Sequence, residues 1–501
     1  MIPRGSSPVA ASVACACMLA AAAAPVGPGS AAAQSPPRNF ILILSDDHRH
    51  DFMGFMAQAP AFLETPSLDR MAAGGAHLRN AFVTTSLCSP SRASILTGQY
   101  AHRHRIVDNT SPIPAGTVFF PEYLQRADYA TAYIGKWHMG ETDDAPQPGF
   151  DHWVSFRGQG VYVDPLLNIN GEQRQFEGYT TDVLTEEALA WLAAQRARAP
   201  DVPFFMVLSH KAVHAEFIPA PRHAGRYADV EIPYPETMAG TVSNYRNKPD
   251  WVQAQRNSWH GVDFAYHGAL DFDDFYRSYA ETLLAMDEGV GRVLDYLEST
   301  GLDRSTLVLY MGDNGFMLGE HGLIDKRNAY EESIRVPMLA WAPGYVPAGR
   351  TIDALVRNID VAPTVLDLFG VQSGHEVDGE SFLHLLAGGE AEPRSATGLP
   401  GEPALLYEYY WEHAFPHTPT TLALRGPRFK YIYYHGVWDV QELYDLETDP
   451  QERYNLIGVP EYADEVSAMR DELFRRLAAT DGMTIPLKPA GTWQADQRRI
   501  P

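Results

Sequence analysis

The sequence predicts an α/β fold, a mixed and largely parallel sheet with helices on both faces, followed by a small α+β subdomain near the C-terminus. Uninterrupted apolar runs at residues 39–44, 203–208 and 306–311 are typical of strands buried on both faces of a parallel sheet. Helical periodicity separates them, most clearly at residues 181–197 and 275–297. A chain of 501 residues is long enough for a large domain and a second, smaller one.

Weaker patterns predict the remaining elements. Helices are expected at residues 66–75 and 120–127, and strands at residues 81–85 and 130–135. Short runs at residues 404–409, 421–425 and 429–434 predict a small antiparallel sheet, which a helix at residues 464–478 completes. Glycine and proline become frequent from residue 343 to 402, and the predicted linker lies at residues 388–393. The expected divisions are a signal peptide at 1–33, a catalytic domain at 38–390, a C-terminal subdomain at 396–485 and a tail at 486–501.

The N-terminal segment indicates export from the cytoplasm. Residues 8–33 are rich in alanine, follow Arg4 and end in a small-residue cleavage pattern, so we expect a signal peptide cleaved near Ala33 and a periplasmic or secreted protein. A membrane anchor is the weaker alternative, because the apolar run is short and is broken by prolines and a glycine. Cys15 and Cys17 lie inside this segment, which leaves Cys88 without a partner for an intramolecular disulfide.

The charge balance excludes some partners. The formal net charge is −24, whereas nucleic acids and anionic membrane surfaces are bound by basic patches. Beyond the signal segment, no apolar run is long enough to span a bilayer, so membrane insertion is not expected. An anionic substrate would have to be held by a local cluster of cations.

Oxygen-bearing side chains follow two of the predicted buried strands. Asp46 and Asp47 come after the first strand, and Asp313 and Asn314 come after the strand at residues 306–311. The carboxyl ends of strands are where open α/β sheets bind their ligands, and a divalent cation relieves the repulsion between adjacent carboxylates. Four oxygen ligands without a thiolate suit Ca²⁺ or Mg²⁺ better than Zn²⁺. The alternative is that both pairs are ordinary solvated turns.

Cys88 has two interpretations. Residues 88–98 read CSPSRASILTG, a pattern typical of a loop that enters the first turn of a helix. A thiol at the positive end of a helix would have a lowered pKa and lie beside anion-binding N–H groups. The alternative is a buried cysteine that packs as a small apolar residue.

The pattern Cys88-x-Pro90-Ser91-Arg92 followed by LTG at residues 96–98 resembles the signature of the type I sulfatases. In that family a separate maturation enzyme oxidises the cysteine to formylglycine, whose hydrated aldehyde is the nucleophile. The resemblance, which extends over about residues 38 to 485, implies the fold shared with alkaline phosphatases and one Ca²⁺ or Mg²⁺ ion bound by Asp46, Asp47, Asp313 and Asn314.

The same resemblance implies roles for further residues. Arg92 and Lys136 would steady the diol, His138 would take its second proton, and His214 with Lys326 would handle the sulfate and the leaving alcohol. Lys211 and His321, close in sequence to these residues, are candidate substrate contacts. His210, directly after a predicted strand, is interpreted equally well as a histidine of the core.

Residues 216–272, which we call the excursion, lack a core periodicity and are predicted to form a long loop over the active-site face. Within the excursion, Arg246, Arg256, Trp259 and His260 combine cationic and flat aromatic groups that suit a sugar subsite. The alternative is that these residues hold the loop in place, with Trp259 anchoring it by burial.

The predicted function is hydrolysis of a sulfate ester on a sulfated carbohydrate. The resemblance is nearest to sulfatases of amino-sugar 6-sulfates and other glycosaminoglycan or mucin sulfates, such as N-acetylglucosamine-6-sulfatases. One alternative is a phosphonate monoester hydrolase or phosphodiesterase of the same superfamily, which would use the same nucleophile and metal. Another is a non-catalytic binder of sulfated glycans, in which Cys88 is never converted.

Overall fold

A ten-stranded mixed sheet is the centre of the fold. The computed structural model of the protein describes residues 36–140, 143–263, 271–390, 403–436 and 440–486. The predicted signal peptide, the second half of the predicted linker and nearly all of the predicted tail lie outside the described residues. The strands are β1 (Asn39–Ser45), β2 (Ala76–Phe82), β3 (Ala130–Lys136), β4 (His152–Phe156), β5 (Leu166–Ile169), β6 (Glu172–Gln175), β7 (Phe204–Ser209), β8 (Thr306–Gly312), β9 (Met317–Leu318), β10 (Ile324–Asp325), β11 (Met338–Trp341), β12 (Arg350–Arg357), β13 (Leu405–Tyr409), β14 (Thr421–Arg425), β15 (Phe429–Tyr434) and β16 (Glu442–Asp445).

The strand order of the large sheet is β12-β2-β11-β8-β1-β7-β3-β4-β5-β6. The five central strands, from β8 to β4, are parallel to one another, and β11, β5 and β6 supply the antiparallel pairings. The prediction of a mixed, largely parallel sheet is therefore confirmed. The central strands are buried along almost their whole length, which explains why they read as continuous apolar runs.

Helices cover both faces of this sheet. They are α1 (Pro66–Gly74), α2 (Cys88–Thr97), α3 (Ala101–His104), α4 (Pro121–Arg126), α5 (Thr180–Arg198), α6 (Asp250–Gln255), α7 (Phe272–Thr300), α8 (Glu331–Ile334), α9 (Val361–Phe369), α10 (Leu383–Leu386) and α11 (Ala463–Ala479). Alternate side chains of β1 pack into the two cores on opposite faces of the sheet. Ile41 and Ile43 pack with residues of α1, α5 and α7, whereas Phe40 and Leu42 pack with residues of α2, α4 and α9.

A separate antiparallel sheet, in the order β13-β14-β15-β16, lies near the C-terminus. Leu406 and Leu424 pack with Leu473 of α11, while Tyr407 belongs to a core that includes Tyr330 of the N-terminal part of the chain. The small sheet is confirmed and gains β16 as a fourth strand. Because both of its faces are covered, its strands are almost completely buried.

Two segments differ from the sequence predictions. The strand expected at residues 81–85 is β2 (Ala76–Phe82), which begins earlier than predicted. Polar residues interrupt the apolar pattern in its first part. The glycine-rich and proline-rich stretch from residue 343 contains β12 and α9. Because β12 is an edge strand with several partly exposed polar residues, its pattern is weaker than that of the central strands.

The excursion is mostly irregular, as predicted. It contains α6 and one 3₁₀ turn, Glu236–Met238, while residues 264–270 lie outside the described part. None of the helices that the structure describes is long and apolar enough to cross a bilayer.

Candidate active site

The candidate site lies at the carboxyl ends of four adjacent parallel strands. Strand β1 pairs with β7 on one side and with β8 on the other, and β7 pairs in turn with β3. This order brings together side chains that are far apart in sequence, as expected for ligand sites in open α/β sheets. The predicted residues that follow these strand ends are Asp46 and Asp47 after β1, Lys136 at the end of β3, Lys211 and His214 after β7, and Asp313 and Asn314 after β8.

Three buried carboxylates meet at this point. Asp46, Asp47 and Asp313 are at most 1% exposed, and each offers an oxygen within 4.8 Å of the others. Burial raises the pKa of Asp47, and burial together with the charge of Asp46 raises the pKa of Asp313 to about 7. Burial also opposes the ionisation of Asp46, but Lys136 and the other cationic groups around it together outweigh burial and hold the pKa of Asp46 well below its usual value. A cation between these groups would relieve their repulsion.

Two buried oxygens in this cluster lack a hydrogen-bond donor. Asn314 Nδ2 donates to Asp47 Oδ1 over 2.6 Å and to the Gly315 carbonyl over 2.9 Å. Asp47 Oδ2 and Asn314 Oδ1 have no hydrogen-bond partner among the described residues. Buried polar atoms are normally satisfied, so this pair indicates a missing partner. A carboxylate and an amide oxygen are ligands that Ca²⁺ and Mg²⁺ accept, and the residues therefore fit such an ion.

Cys88 is the first residue of α2, as the sequence predicted, and it is completely buried. Its Sγ lies 3.4 Å from Asp46 Oδ1 and 3.2 Å from Lys326 Nζ. Burial and the charge of Asp46 raise the pKa of Cys88 to about 12. The expectation of a lowered thiol pKa is therefore wrong, because desolvation and the charge of Asp46 outweigh the charges of the two nearby lysines. The thiol is nevertheless surrounded by charged groups, unlike a cysteine that packs as an apolar residue.

Two buried lysines bring positive charge to the cluster. Lys136 Nζ donates to Asp46 and to the side-chain oxygen of Gln159. Lys326 Nζ donates to Asp47 and to Cys88. Burial opposes the charged form of Lys326, but Asp47 and the other anionic groups around it together outweigh burial and raise the pKa of Lys326 well above its ordinary value. Both ammonium groups therefore lie beside the residue expected to react.

Arg92 contacts Asp313, one of the candidate metal ligands. Its Nε donates to Asp313 over 2.9 Å, and its Nη1 donates over 2.6 Å both to the Lys136 carbonyl and to Ser209 Oγ. Arg92 is 1% exposed. The side chain thus fixes Asp313 against the ends of β3 and β7.

The two predicted catalytic histidines both lie in the cluster. His138 has a positive φ of 55°, is buried, and has no hydrogen-bond partner on Nδ1 in the described part of the chain. His214 Nε2 lies 3.8 Å from Asp47 Oδ2, and Tyr162 donates to the His214 carbonyl over 2.6 Å. Burial, followed by the charge of Lys136, lowers the pKa of both imidazoles well below the usual value. Both rings are therefore neutral near pH 7.

Lys211 and His210 both follow β7, but their surroundings differ. Lys211 is buried, with Nζ 4.7 Å from the centre of the Tyr162 ring, and burial and Lys136 lower its pKa to about 8. His210 is also buried, neither of its ring nitrogens has a hydrogen-bond partner among the described residues, and burial lowers its pKa to about 4. The burial of His210 fits the interpretation as a core histidine, whereas the lack of hydrogen bonds to described residues does not fit a histidine satisfied within the core.

His321 is not brought into the cluster. Its ring centre lies 4.2 Å from that of Tyr330, and the residue is 1% exposed. Burial lowers its pKa, and the charges that contribute to the shift are those of Lys248 and of Lys430, which belongs to β15. The sequence placed His321 near Lys326, but its positive φ of 55° turns the chain between the two residues.

The candidate subsite residues of the excursion occupy different environments. Arg246 is exposed, and Trp259 is 61% exposed, so the alternative that Trp259 anchors the loop by burial is wrong. Arg256 donates to the Met238 carbonyl and to Tyr245 Oη, and pairs with Asp263. These partners all belong to the excursion, which favours a loop-holding role for Arg256.

His260 is buried and contacts the segment that carries Lys326. Its Nδ1 lies 2.9 Å from Asp325 Oδ2, and its ring centre lies 4.6 Å from that of Phe415. Arg327, on the other side of Lys326, covers the same Phe415 ring at 3.8 Å. His260 is therefore nearer to the cluster than the other excursion candidates.

Sequence reasoning missed two contributors to the site. Gln159 reaches Lys136 from the loop after β4, and the loop after β13 supplies Glu412 and Phe415 to Arg327. The two glycines that flank Gln159 were a signal for a tight loop, but nothing local indicated which lysine it meets. The loop after β13 has no comparable signal.

Comparisons with known proteins cover most of the chain. The family model described as Sulfatase matches residues 38–371, and the one described as N-sulphoglucosamine sulphohydrolase, C-terminal, matches residues 319–479. The N-acetylglucosamine-6-O-sulfatase of Bacteroides thetaiotaomicron is 33% identical over 479 residues, which cover 85% of this chain and 83% of that protein.

Two solved structures share the fold. One, a complex with its substrate D-glucosamine-2-N,6-O-disulfate, has a TM-score of 0.80 and 30% identity, and the match covers 91% of this chain and 100% of that one. The phosphonate monoester hydrolase of Agrobacterium radiobacter has a TM-score of 0.73 at 22% identity, covering 89% and 96% of the two chains, and this likeness concerns the fold alone. The chain belongs to the sulfatase family of the alkaline phosphatase superfamily and is a sulfuric ester hydrolase.

Proposed function

We propose that this sulfatase hydrolyses the 6-sulfate ester of a glucosamine unit in a sulfated glycan. The observation that carries the chemistry is the meeting of Cys88, two buried lysines and three carboxylates that follow β1 and β8. The choice of sugar is supported by the Bacteroides relative, named for N-acetylglucosamine-6-O-sulfate, and by the solved complex with a glucosamine disulfate.

Asp46, Asp47, Asp313 and Asn314 are the proposed ligands of one divalent cation, Ca²⁺ with Mg²⁺ as the alternative. The support is the unsatisfied state of Asp47 Oδ2 and Asn314 Oδ1 together with the burial of all four side chains. When bound, such an ion supplies Lewis-acid polarisation of the sulfate ester. Arg92, through its 2.9 Å hydrogen bond, keeps Asp313 in place as a ligand.

Formylglycine made from Cys88 is the proposed nucleophile. The aldehyde hydrate supplies an oxygen nucleophile at this position once a maturation enzyme has oxidised the thiol. Lys326 Nζ, 3.2 Å from Sγ, lies where it can donate to a group on this side chain, and Asp46, 3.4 Å away, can accept from it. Lys136 holds Asp46 in its ionised form.

The proposed proton carriers are His138 and His214. His138 is neutral, and its Nδ1 has no hydrogen-bond partner among the residues that the structure describes, so it can accept a proton from a hydroxyl on residue 88. His214 lies beside Asp47 and is neutral in the absence of substrate. A bound sulfate anion would favour its protonated form, which could then donate to the leaving alcohol. Lys211 adds positive charge on the same side of the site.

The test uses protein produced with a formylglycine-generating enzyme. We expect hydrolysis of N-acetylglucosamine-6-O-sulfate, slower hydrolysis of galactose 6-sulfate, and loss of activity on chelation that Ca²⁺ or Mg²⁺ restores. A parallel assay with an aryl sulfate and an aryl phosphonate tests the phosphonate alternative, which a higher kcat/KM on the phosphonate would support. The mass of the tryptic peptide with residue 88 shows whether the aldehyde is present, and an active protein with an intact thiol would contradict the proposed nucleophile.

The proposed location is the periplasm or the medium, on the evidence of the alanine-rich pattern at residues 8–33. Fractionation of cells that express the full chain, with N-terminal sequencing of the product, tests it. A product that starts near residue 34 outside the cytoplasm is expected, and an uncleaved cytoplasmic product would contradict the proposal.

A further inference from the structure

Gln159 lies beside a catalytic lysine although it is 23 residues away in sequence. It belongs to the loop between β4 and β5 and is partly buried. Its side-chain oxygen accepts a hydrogen bond from Nζ of Lys136, which is completely buried. With the oxygen facing the ammonium group, the amide NH₂ is directed elsewhere, because an ammonium group can only donate.

The loop around Gln159 is held tightly. Gly158 and Gly160 have positive φ values of 53° and 64°, and a Cβ at Gly160 would lie 2.4 Å from the Phe156 ring. Further along, Thr180 Oγ1 donates to the Val161 carbonyl over 2.7 Å. The position of Gln159 is therefore set by the backbone on both sides and does not depend on its own side-chain contact.

The hydrogen bonds of Lys136 leave one donor unassigned. An ammonium group has three N–H donors. Among the described residues, Lys136 Nζ donates to Asp46 and to Gln159, so one N–H remains. These two partners fix the direction in which the remaining donor points. A substrate anion that lies in that direction could accept a hydrogen bond from this N–H.

The neutrality of Gln159 is as important as its oxygen. Lys136 already has one anionic partner in Asp46, and a second carboxylate would neutralise its charge further. An amide accepts the same hydrogen bond without adding negative charge. Near three buried carboxylates, each additional anion weakens the attraction for sulfate.

We propose that Gln159 is a positioning residue that orients Lys136 and, because it is neutral, preserves the positive charge with which Lys136 binds the sulfate monoanion. This inference rests on the proposed function, because it takes the bound anion to be the sulfate ester of the substrate, and it adds a contact between that ester and Lys136. Two separable effects follow. The hydrogen bond orients Lys136 and should affect kcat, whereas the absence of charge should affect KM.

Two substitutions separate these effects. Gln159→Glu keeps the acceptor and adds a charge, so KM for an aryl sulfate should rise about tenfold or more while kcat changes less. Gln159→Met keeps the approximate shape but removes the acceptor, so kcat should fall about tenfold with a smaller change in KM. Gln253→Glu, which makes the same charge change at an exposed position of α6, is the matched control and should alter neither parameter.

Binding of inorganic sulfate, measured by calorimetry, provides a readout that does not depend on turnover. Gln159→Glu should weaken it about as much as it raises KM. Equal sulfate affinity in wild type and Gln159→Glu would overturn the inference, and so would kcat and KM values in Gln159→Met that match wild type. If Gln159→Glu does not fold, the Gln159→Met kinetics decide. A wild-type protein that binds sulfate but hydrolyses no sulfate ester would refute the proposed function, while the calorimetric comparison would still test this inference.

Discussion

Replacement of Arg256 by alanine is predicted to loosen the excursion and not to remove a contact with the sugar. The guanidinium donates to the Met238 carbonyl and to Tyr245 Oη, and it pairs with Asp263. It also lies against the segment that carries Lys326, because a Cβ at Gly322 would be 2.3 Å from Arg256 Nη1. The substitution should therefore disturb Lys326 as well as the excursion.

The magnitude follows from the three contacts. The two hydrogen bonds contribute about 1 kcal/mol each, the net value of an ordinary protein hydrogen bond. The pair with Asp263, whose side chain is 48% exposed, contributes less than about 1 kcal/mol because water screens it. A loss of about 2 kcal/mol would raise the population of the locally open excursion roughly 30-fold.

Limited proteolysis and kinetics together test this prediction. Cleavage within the excursion should accelerate about 30-fold in Arg256→Ala, since cleavage follows the open population when reclosing is fast. The kcat/KM values on an aryl sulfate and on the sugar sulfate should fall together. Arg246→Ala, at an exposed position of the same excursion, is the control for proteolysis and should be cleaved like wild type.

The reasoning would be refuted if Arg256→Ala resisted proteolysis like wild type and lost kcat/KM only on the sugar sulfate. That result would mean that Arg256 reads the sugar directly, as the sequence pattern first suggested. An aryl sulfate cannot reach a remote subsite, so its turnover separates the two roles.

Three further outcomes are expected. Asn314→Ala should lower bound Ca²⁺ below one per chain and reduce kcat by about 10²-fold, because the proposed metal ligand is removed. Full metal content with unchanged turnover would contradict the ligand assignment. Because Cys88 is completely buried, the maturation enzyme should convert a peptide of residues 88–98 but not the folded thiol form, and conversion of folded protein under native conditions would refute this. Burial opposes the charged form of His102, but Glu408, 2.8 Å away, raises its pKa. The stability that this pair contributes is therefore present below about pH 6.5 and is lost as the pH rises through the raised pKa. Melting temperatures should show this decline in wild type but not in Glu408→Gln, and parallel curves would contradict it.

The local patterns of the sequence determined much of the fold. The runs that form β1, β7 and β8 are apolar because both faces of the central sheet are covered. Nearly every residue of such a strand is buried, so the burial is visible in the sequence as a continuous apolar run. The acidic residues after β1 and β8 were predicted to lie at strand ends because each apolar run stops directly before them. Where burial was partial, as in β12, the pattern weakened and the strand was missed.

Only the tertiary structure decided which of these side chains meet and with what electrostatic result. Asp47 and Asn314 are 267 residues apart, and their 2.6 Å contact depends on the pairing of β1 with β8. Local sequence carries no record of such pairings, nor of the burial that raises the pKa of Cys88 instead of lowering it. The sequence therefore determined the sulfatase signature, the buried strands and the residues at their ends. The tertiary structure decided that Gln159 reaches Lys136, because a loop position is fixed by backbone packing between distant segments.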